Sequence, residues 1–176
     1  TFVKKYREER ESTVMLLVDM SGSLEFGTFS GKKLEKAAEV AAVLAFNAVK
    51  NNDKVGLVLF TDRVERYIPP GKGSAHVFRI IKEMLSWEPA SRRTDAACAL
   101  DFLAKVQRKR AVAFLVSDLL SPDFGRSLRI AARRHDVVAV RTFDPGEGGL
   151  PASGLVEAED LETGERMLLD ASHGPS

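Results

Sequence analysis

The chain has 176 residues and a mass of 19.3 kDa, the size of one domain. At that length roughly 70% of the unfolded surface is buried on folding, so a core forms without staples. Its 26 basic and 25 acidic residues leave a net charge of +1, which excludes a nucleic-acid binder driven by bulk positive charge.

The lead-in, residues 1–12, starts Thr1-Phe2-Val3-Lys4-Lys5-Tyr6-Arg7-Glu8-Glu9-Arg10 and is charged throughout, with no signal-peptide pattern. It opens without Met and reads as a domain taken from a longer protein, cytoplasmic as it stands. A membrane anchor, if the whole protein has one, lies in the rest of it. No apolar run here reaches the ~20 residues of a membrane span. A single cysteine excludes a disulfide framework and a CxxC metal site.

Thr13 to Val18 (TVMLLV) is a short, uncharged, β-branched run, as suits a central strand covered on both faces. Lys32 to Asn51 follows with Leu34, Ala37, Ala38, Ala41, Leu44, Ala45, Ala48 and Val49 at helical spacing, apolar around most of its girth, which predicts a deeply buried helix. Lys54 to Thr61 (KVGLVLFT) is a second strand. Val64 to Ile68 comes only two residues later, which allows a hairpin and forbids a parallel crossover, so a short antiparallel edge strand is expected. Pro69, Pro70, Gly71 and Gly73 then break the chain.

Ser74 to Ser86 and Ala96 to Val106 are helical patterns, Ala111 to Ser117 (AVAFLVS) a strand, Asp123 to Arg134 a helix with four arginines on its solvated side, and Val137 to Thr142 (VVAVRT) a strand. After Phe143 a Gly/Pro-rich loop leads to two short strands, Leu155 to Ala158 and Arg166 to Leu169, turning at Glu162–Glu165, and residues 172–176 are expected to be disordered. Strands alternating with helices imply crossovers and a parallel sheet. The fold class is therefore α/β: a Rossmann-like, doubly wound, mostly parallel sheet with one short antiparallel edge strand and a C-terminal hairpin. Residues 1–176 are one domain, with 13–142 as its core and 143–171 as the appended loop and hairpin.

In such sheets ligands bind beyond the carboxyl ends of the strands, near the point where strand order reverses. Asp19-Met20-Ser21-Gly22-Ser23 follows the first strand, Asp118 follows Ser117 at the end of the central strand, and Arg92-Arg93-Thr94-Asp95 precedes a helix. Brought to one edge, Asp19, Ser21, Ser23, Thr94 and Asp118 give two carboxylates and three hydroxyls. An all-oxygen set suits Mg²⁺, or Mn²⁺ or Ca²⁺, rather than Zn²⁺ or Cu²⁺. Gly22 permits the bend between the serines. Carboxylates acting through water would leave the cation electron-poor and seeking an external carboxylate.

Asp-x-Ser-x-Ser, a later Thr and an Asp after the central strand resemble the metal-ion-dependent adhesion site of von Willebrand factor A domains. More narrowly, the chain resembles the bacterial domain-of-unknown-function 58 proteins, typically encoded beside MoxR-type AAA+ ATPases. The stretches VKKYREERESTVMLLVDMSGS, VGLVLF, RRTD, VSDLL, HDVVAVRTFDP and ETGE carry that resemblance across nearly the whole chain. It implies a divalent cation at the top of the sheet, held by Asp19, Ser21, Ser23, Thr94 and Asp118. It also implies a protein-interaction role beside such an ATPase in chaperone-like maturation of other proteins.

Plainer readings stand beside these. Asp19 and Ser21 also suit a strand-end cap, Asp118 a loop cap and Asp95 the N-cap of its helix. Cys98 among alanines reads as a buried, inert thiol. The arginine clusters read as solvated faces, with Arg92 and Arg93 the exception, placed to receive an acidic partner. Trp87 and Phe26 suit loop surface or core equally. The chain is read as no enzyme. A Ser-His-Asp hydrolase using Ser21 fails because His135 precedes a strand while Ser21 follows one, at the sheet's opposite end. No Gly-rich Walker sequence is present. The alternatives kept open are a Mg²⁺-dependent phosphatase with Asp19 as nucleophile and an interaction module whose metal site is vestigial.

Overall fold

A computed structural model of the chain describes residues 11–21, 30–121 and 123–142, without the side chains of 30–34, and the backbone of 155–160 and 166–170. The chain order is β1 (Thr13–Asp19), α1 (Ser30–Lys50), β2 (Lys54–Phe60), β3 (Val64–Gly71), α2 (Ser74–Ser86), α3 (Ala96–Val106), β4 (Val112–Ser117), α4 (Gly125–Ala132), β5 (Asp136–Arg141), β6 (Leu155–Asp160) and β7 (Arg166–Asp170). The strands form one sheet in the order β3-β2-β1-β4-β5-β6-β7. β2, β1, β4 and β5 run parallel, while β3 at one edge and β6 and β7 at the other are antiparallel to their neighbours. Among the described residues no helix is long and apolar enough to cross a membrane.

The central strands read as unbroken apolar runs because both of their faces are covered. Alternate residues of β1 enter different cores: Val14, Leu16 and Val18 pack with α1 and α2, Met15 and Leu17 with α3. Met15, Leu16, Leu17 and Val18 are fully buried. From β1 the chain crosses outward to β2 on one side, and β4 lies on the other. The order therefore reverses between β1 and β4, and the crevice at their carboxyl ends lies there.

Two elements depart from the sequence reading. β3 does not stop at Ile68 but continues through Pro69 and Pro70 to Gly71, which pairs with Val55. The register shifts between Val55 and Leu57, and that irregularity on an edge strand is where prolines, lacking an N–H, are tolerated. α1 is not buried on most sides. Its covered face is mainly small side chains (Ala37, Ala38, Val40, Ala41, Ala45 and Ala48), whereas Val43 is 49% exposed. Phe46 turns outward enough to meet Phe78 of α2 edge-on, 5.5 Å between centroids.

Other readings hold. The arginines about α4 (Arg126, Arg129, Arg133 and Arg134) are exposed. Trp87 is half-buried against the α1/α2 core and lies under the Arg66 guanidinium at 5.7 Å. The lead-in before residue 11, Phe26, the 143–154 loop, the turn at 162–165 and residues 172–176 lie outside the described residues.

His135 caps the turn from α4 into β5 by donating its backbone N–H to Ala131 O (2.9 Å). Its ring is 1% exposed, and neither ring nitrogen has a hydrogen-bond partner among the described residues. Burial, reinforced by Arg134 and opposed by Asp136, holds its pKa below the ordinary 6.5. The unfolded chain therefore takes up a proton as pH falls through 6.5 while the folded chain does not. Stability is expected to be full above that pH and to decline below it. Urea denaturation between pH 7.5 and 5 should show the decline, and His135→Leu should flatten it.

Candidate metal centre

The register of the two central strands builds the site. Val18 of β1 lies opposite Val116 of β4, so the next pair, Asp19 and Ser117, face each other at the strand ends on the α3 side of the sheet. Asp19 Oδ2 accepts a hydrogen bond from Ser117 Oγ at 2.6 Å and another from Thr94 Oγ1 at 2.8 Å. Asp19 Oδ1 accepts from the backbone N–H of Ser21 at 2.8 Å. One carboxylate thus draws together residues from the ends of β1 and β4 and from the segment before α3. Such charge-assisted bonds are the strong ones.

Each sequence-predicted position can be placed against this. Asp19, Ser21 and Thr94 are brought together. Asp118 follows Ser117 directly, is half-buried, and accepts from the backbone N–H of Leu120 through Oδ1 at 3.0 Å, the loop-capping contact also expected of it. Asp95 is the N-cap of α3, its Oδ1 accepting from Ala97 N at 2.9 Å. Arg92 and Arg93 are exposed beside Thr94. Ser23 lies outside the described residues.

The sequence reading missed Ser117. It is 2% exposed, donates to Asp19, and accepts from Leu119 N at 3.1 Å. Leu119 takes φ 59°, a left-handed conformation that costs a non-glycine residue about 1–2 kcal/mol. That bend turns the chain at the end of β4 so that its N–H reaches the serine. A hydroxyl closing an otherwise apolar strand was the available signal, but its role depends on the β1–β4 register.

The donor chemistry fits a hard cation. Thr94 Oγ1 has its proton engaged by Asp19, which leaves its lone pairs for another partner. Asp19 and Asp118 supply negative charge. Among the described residues no group of three or more His, Cys, Asp or Glu is gathered to hold a metal, so a cation here would depend on the hydroxyls. Burial pushes the Cys98 thiol up to about 12, and Asp95, Asp62, Asp101 and Asp19 add to the effect. Cys98 is half-buried, not fully buried as its alanine neighbours suggested, and its raised pKa keeps the thiol protonated at neutral pH.

The strand order and the helices on both faces give the chain a von Willebrand A-type α/β fold. A sequence profile described as "Protein of unknown function DUF58" matches residues 1–174, and the chain belongs to that family. An uncharacterized protein of Mycobacterium tuberculosis is 33% identical over 165 residues, 92% of this chain and 52% of that protein, so the chain spans about half the length of the curated relatives it matches.

Among solved structures, an aerotolerance-related membrane protein from Bacteroides fragilis superposes with a TM-score of 0.58 at 18% identity, covering 91% of this chain and 82% of that one. A von Willebrand factor type A protein from Catenulispora acidiphila gives 0.55 at 16% identity, covering 72% and 32%. Proximal thread matrix protein 1 from the mussel byssus, with a zinc-occupied adhesion-site motif, gives 0.53 at 14% identity, covering 73% and 37%. These likenesses concern the fold.

The Ser117 contact carries a measurable consequence. Hydrogen bonds to a charged group contribute roughly 1.5–3 kcal/mol. Ser117→Ala is expected to lower the unfolding free energy by about that amount in urea titrations. Ser86→Ala, at the exposed end of α2, should change it by no more than about 0.5 kcal/mol.

Proposed function

We propose that this domain is a non-enzymatic, divalent-metal-dependent protein-binding module. The observation that carries the reading is the meeting of Thr94, Ser117 and Ser21 N–H on the Asp19 carboxylate. In this reading Ser21, Ser23 and Thr94 hold Mg²⁺, or Mn²⁺ or Ca²⁺, directly. Asp118 holds coordinated water or the ion itself. Both oxygens of Asp19 are already engaged by hydrogen bonds, which favours its acting through water. A bound ion would supply positive charge with a coordination position left open to an outside carboxylate.

The partner is then a protein presenting Asp or Glu. Arg92 and Arg93 add positive charge beside Thr94, and Leu120, 69% exposed two residues beyond Asp118, adds an apolar contact. The charge is local, as a chain of net +1 requires. We further propose that the domain acts in the cytoplasm with a MoxR-type AAA+ ATPase in maturing other proteins, as part of a longer chain.

The engagement of Asp19 also weighs against its use as a phosphatase nucleophile. Two hydrogen bonds on Oδ2 and one on Oδ1 stabilise the carboxylate and lower its nucleophilicity.

Calorimetric titration with Mg²⁺ and Mn²⁺ should show binding to the wild-type chain that Asp19→Ala abolishes. Pull-downs should capture partner protein with Mg²⁺ present and lose it with chelator. Metal-dependent turnover of phosphate esters, lost in Asp19→Asn, would overturn the proposal in favour of the phosphatase. Partner capture indifferent to chelator and to Ser21→Ala would instead mark the metal site as vestigial.

A further inference from the structure

We infer that Thr61 and Glu65, neither of which touches the candidate centre, are positioning residues that fix the 88–95 segment so that Thr94 meets Asp19. This rests on the metal-centre reading above and adds residues to it.

Thr61 is the first residue beyond β2 and is fully buried. Asp19 is paired with Phe60 in the sheet, and Met20 N donates to Phe60 O at 2.8 Å, so Thr61 shares a scaffold with Asp19. The backbone of Thr61 is held in a tight turn, its N–H donating to Arg63 O at 2.8 Å, and its carbonyl accepts from Asp95 N at 2.9 Å. The residue that follows Thr94 is therefore tied to the end of β2.

The second tie is made by side chains. Thr61 Oγ1 donates to Glu65 Oε1 at 2.8 Å; Asp62 Oδ1 lies farther, at 3.4 Å. A hydroxyl has one proton, and the shorter contact takes it. The Glu65 carboxylate then receives the backbone N–H of Ala90 on both oxygens, each at 3.2 Å.

Residues 88–95 form no helix or strand, yet they deliver Thr94 to within 2.8 Å of a carboxylate on another element. Glu65 holds this segment at Ala90, and Thr61 holds it at Asp95. Ser121 Oγ fixes the start of α3 beyond it by accepting from Ala96 N at 2.9 Å. A partly buried glutamate on an edge strand, turned onto a loop amide instead of into water, has this as its structural consequence. Ligand geometry set by outer residues is worth about 10–100-fold in metal affinity.

The test uses Thr61→Val, which keeps the volume and removes the hydroxyl; Thr61→Ser, which restores it; and Glu65→Ala. Amide hydrogen exchange of residues 88–95, measured in chelator-treated protein, reads the positioning without any metal. Electron paramagnetic resonance titration with Mn²⁺ reads its effect on the centre. Thr61→Val and Glu65→Ala should speed exchange in 88–95 but not in β1 or β4, and weaken Mn²⁺ about 10-fold. Thr61→Ser should recover both.

Should Thr61→Val fail to fold, Glu65→Ala, at a position outside both apolar cores, decides alone. Unchanged exchange, or unchanged Mn²⁺ affinity in variants of a wild-type chain that binds the ion, overturns this inference and leaves the metal-centre reading standing. A wild-type chain that binds no Mn²⁺ overturns the metal-centre reading, and this inference with it.

Discussion

Asp19 is a charged group at the end of a strand whose preceding four residues have no exposure to water, and the protein must supply much of its solvation. It does so with two hydroxyls and one backbone N–H taken from three separate stretches of chain. A carboxylate left with fewer partners in this position would carry a desolvation cost. Satisfying it is what brings the end of β4, the approach to α3 and the turn after β1 to one place. The strained backbone at Leu119 belongs to the same arrangement, because it aims an N–H at the serine that serves Asp19.

The sheet makes this arrangement possible. Helices on both faces let β1 lie at the centre with its two side-chain rows in different cores. The reversal of strand order leaves a crevice beside it that no crossover covers. At the β3 edge the pattern is interrupted: Pro69 and Pro70 remove two backbone donors from a strand that would otherwise offer a continuous template for pairing with another chain. The edge remains useful internally, since Glu65 reaches from it to Ala90.

What could be read beforehand follows the range of the interactions concerned. The central strands were legible because burial on both faces demands uncharged, β-branched runs. α3 was legible at its start because Asp95 is an N-cap whose effect is local. The extension of β3 through two prolines was not, because the tolerance comes from edge position and a register shift. α1 was read as too deeply buried because alanine counts as apolar in a pattern while covering little area. In the site, the spacing of Asp19 and Ser21 with Thr94 and Asp118 was recognisable. Ser117, Thr61 and Glu65 were not, because each acts through a contact between distant stretches that only the strand register and the loop path create.

Cys98 has a consequence beyond its inertness. Its sulfur lies 3.9 Å from the Thr61 carbonyl, the group that also receives Asp95 N. Half-covered and held protonated, this single thiol sits at the junction of β2 and α3, where its alkylation reports on its immediate surroundings. The protein therefore carries a native probe beside the contact that anchors the residue after Thr94, and no label has to be introduced there.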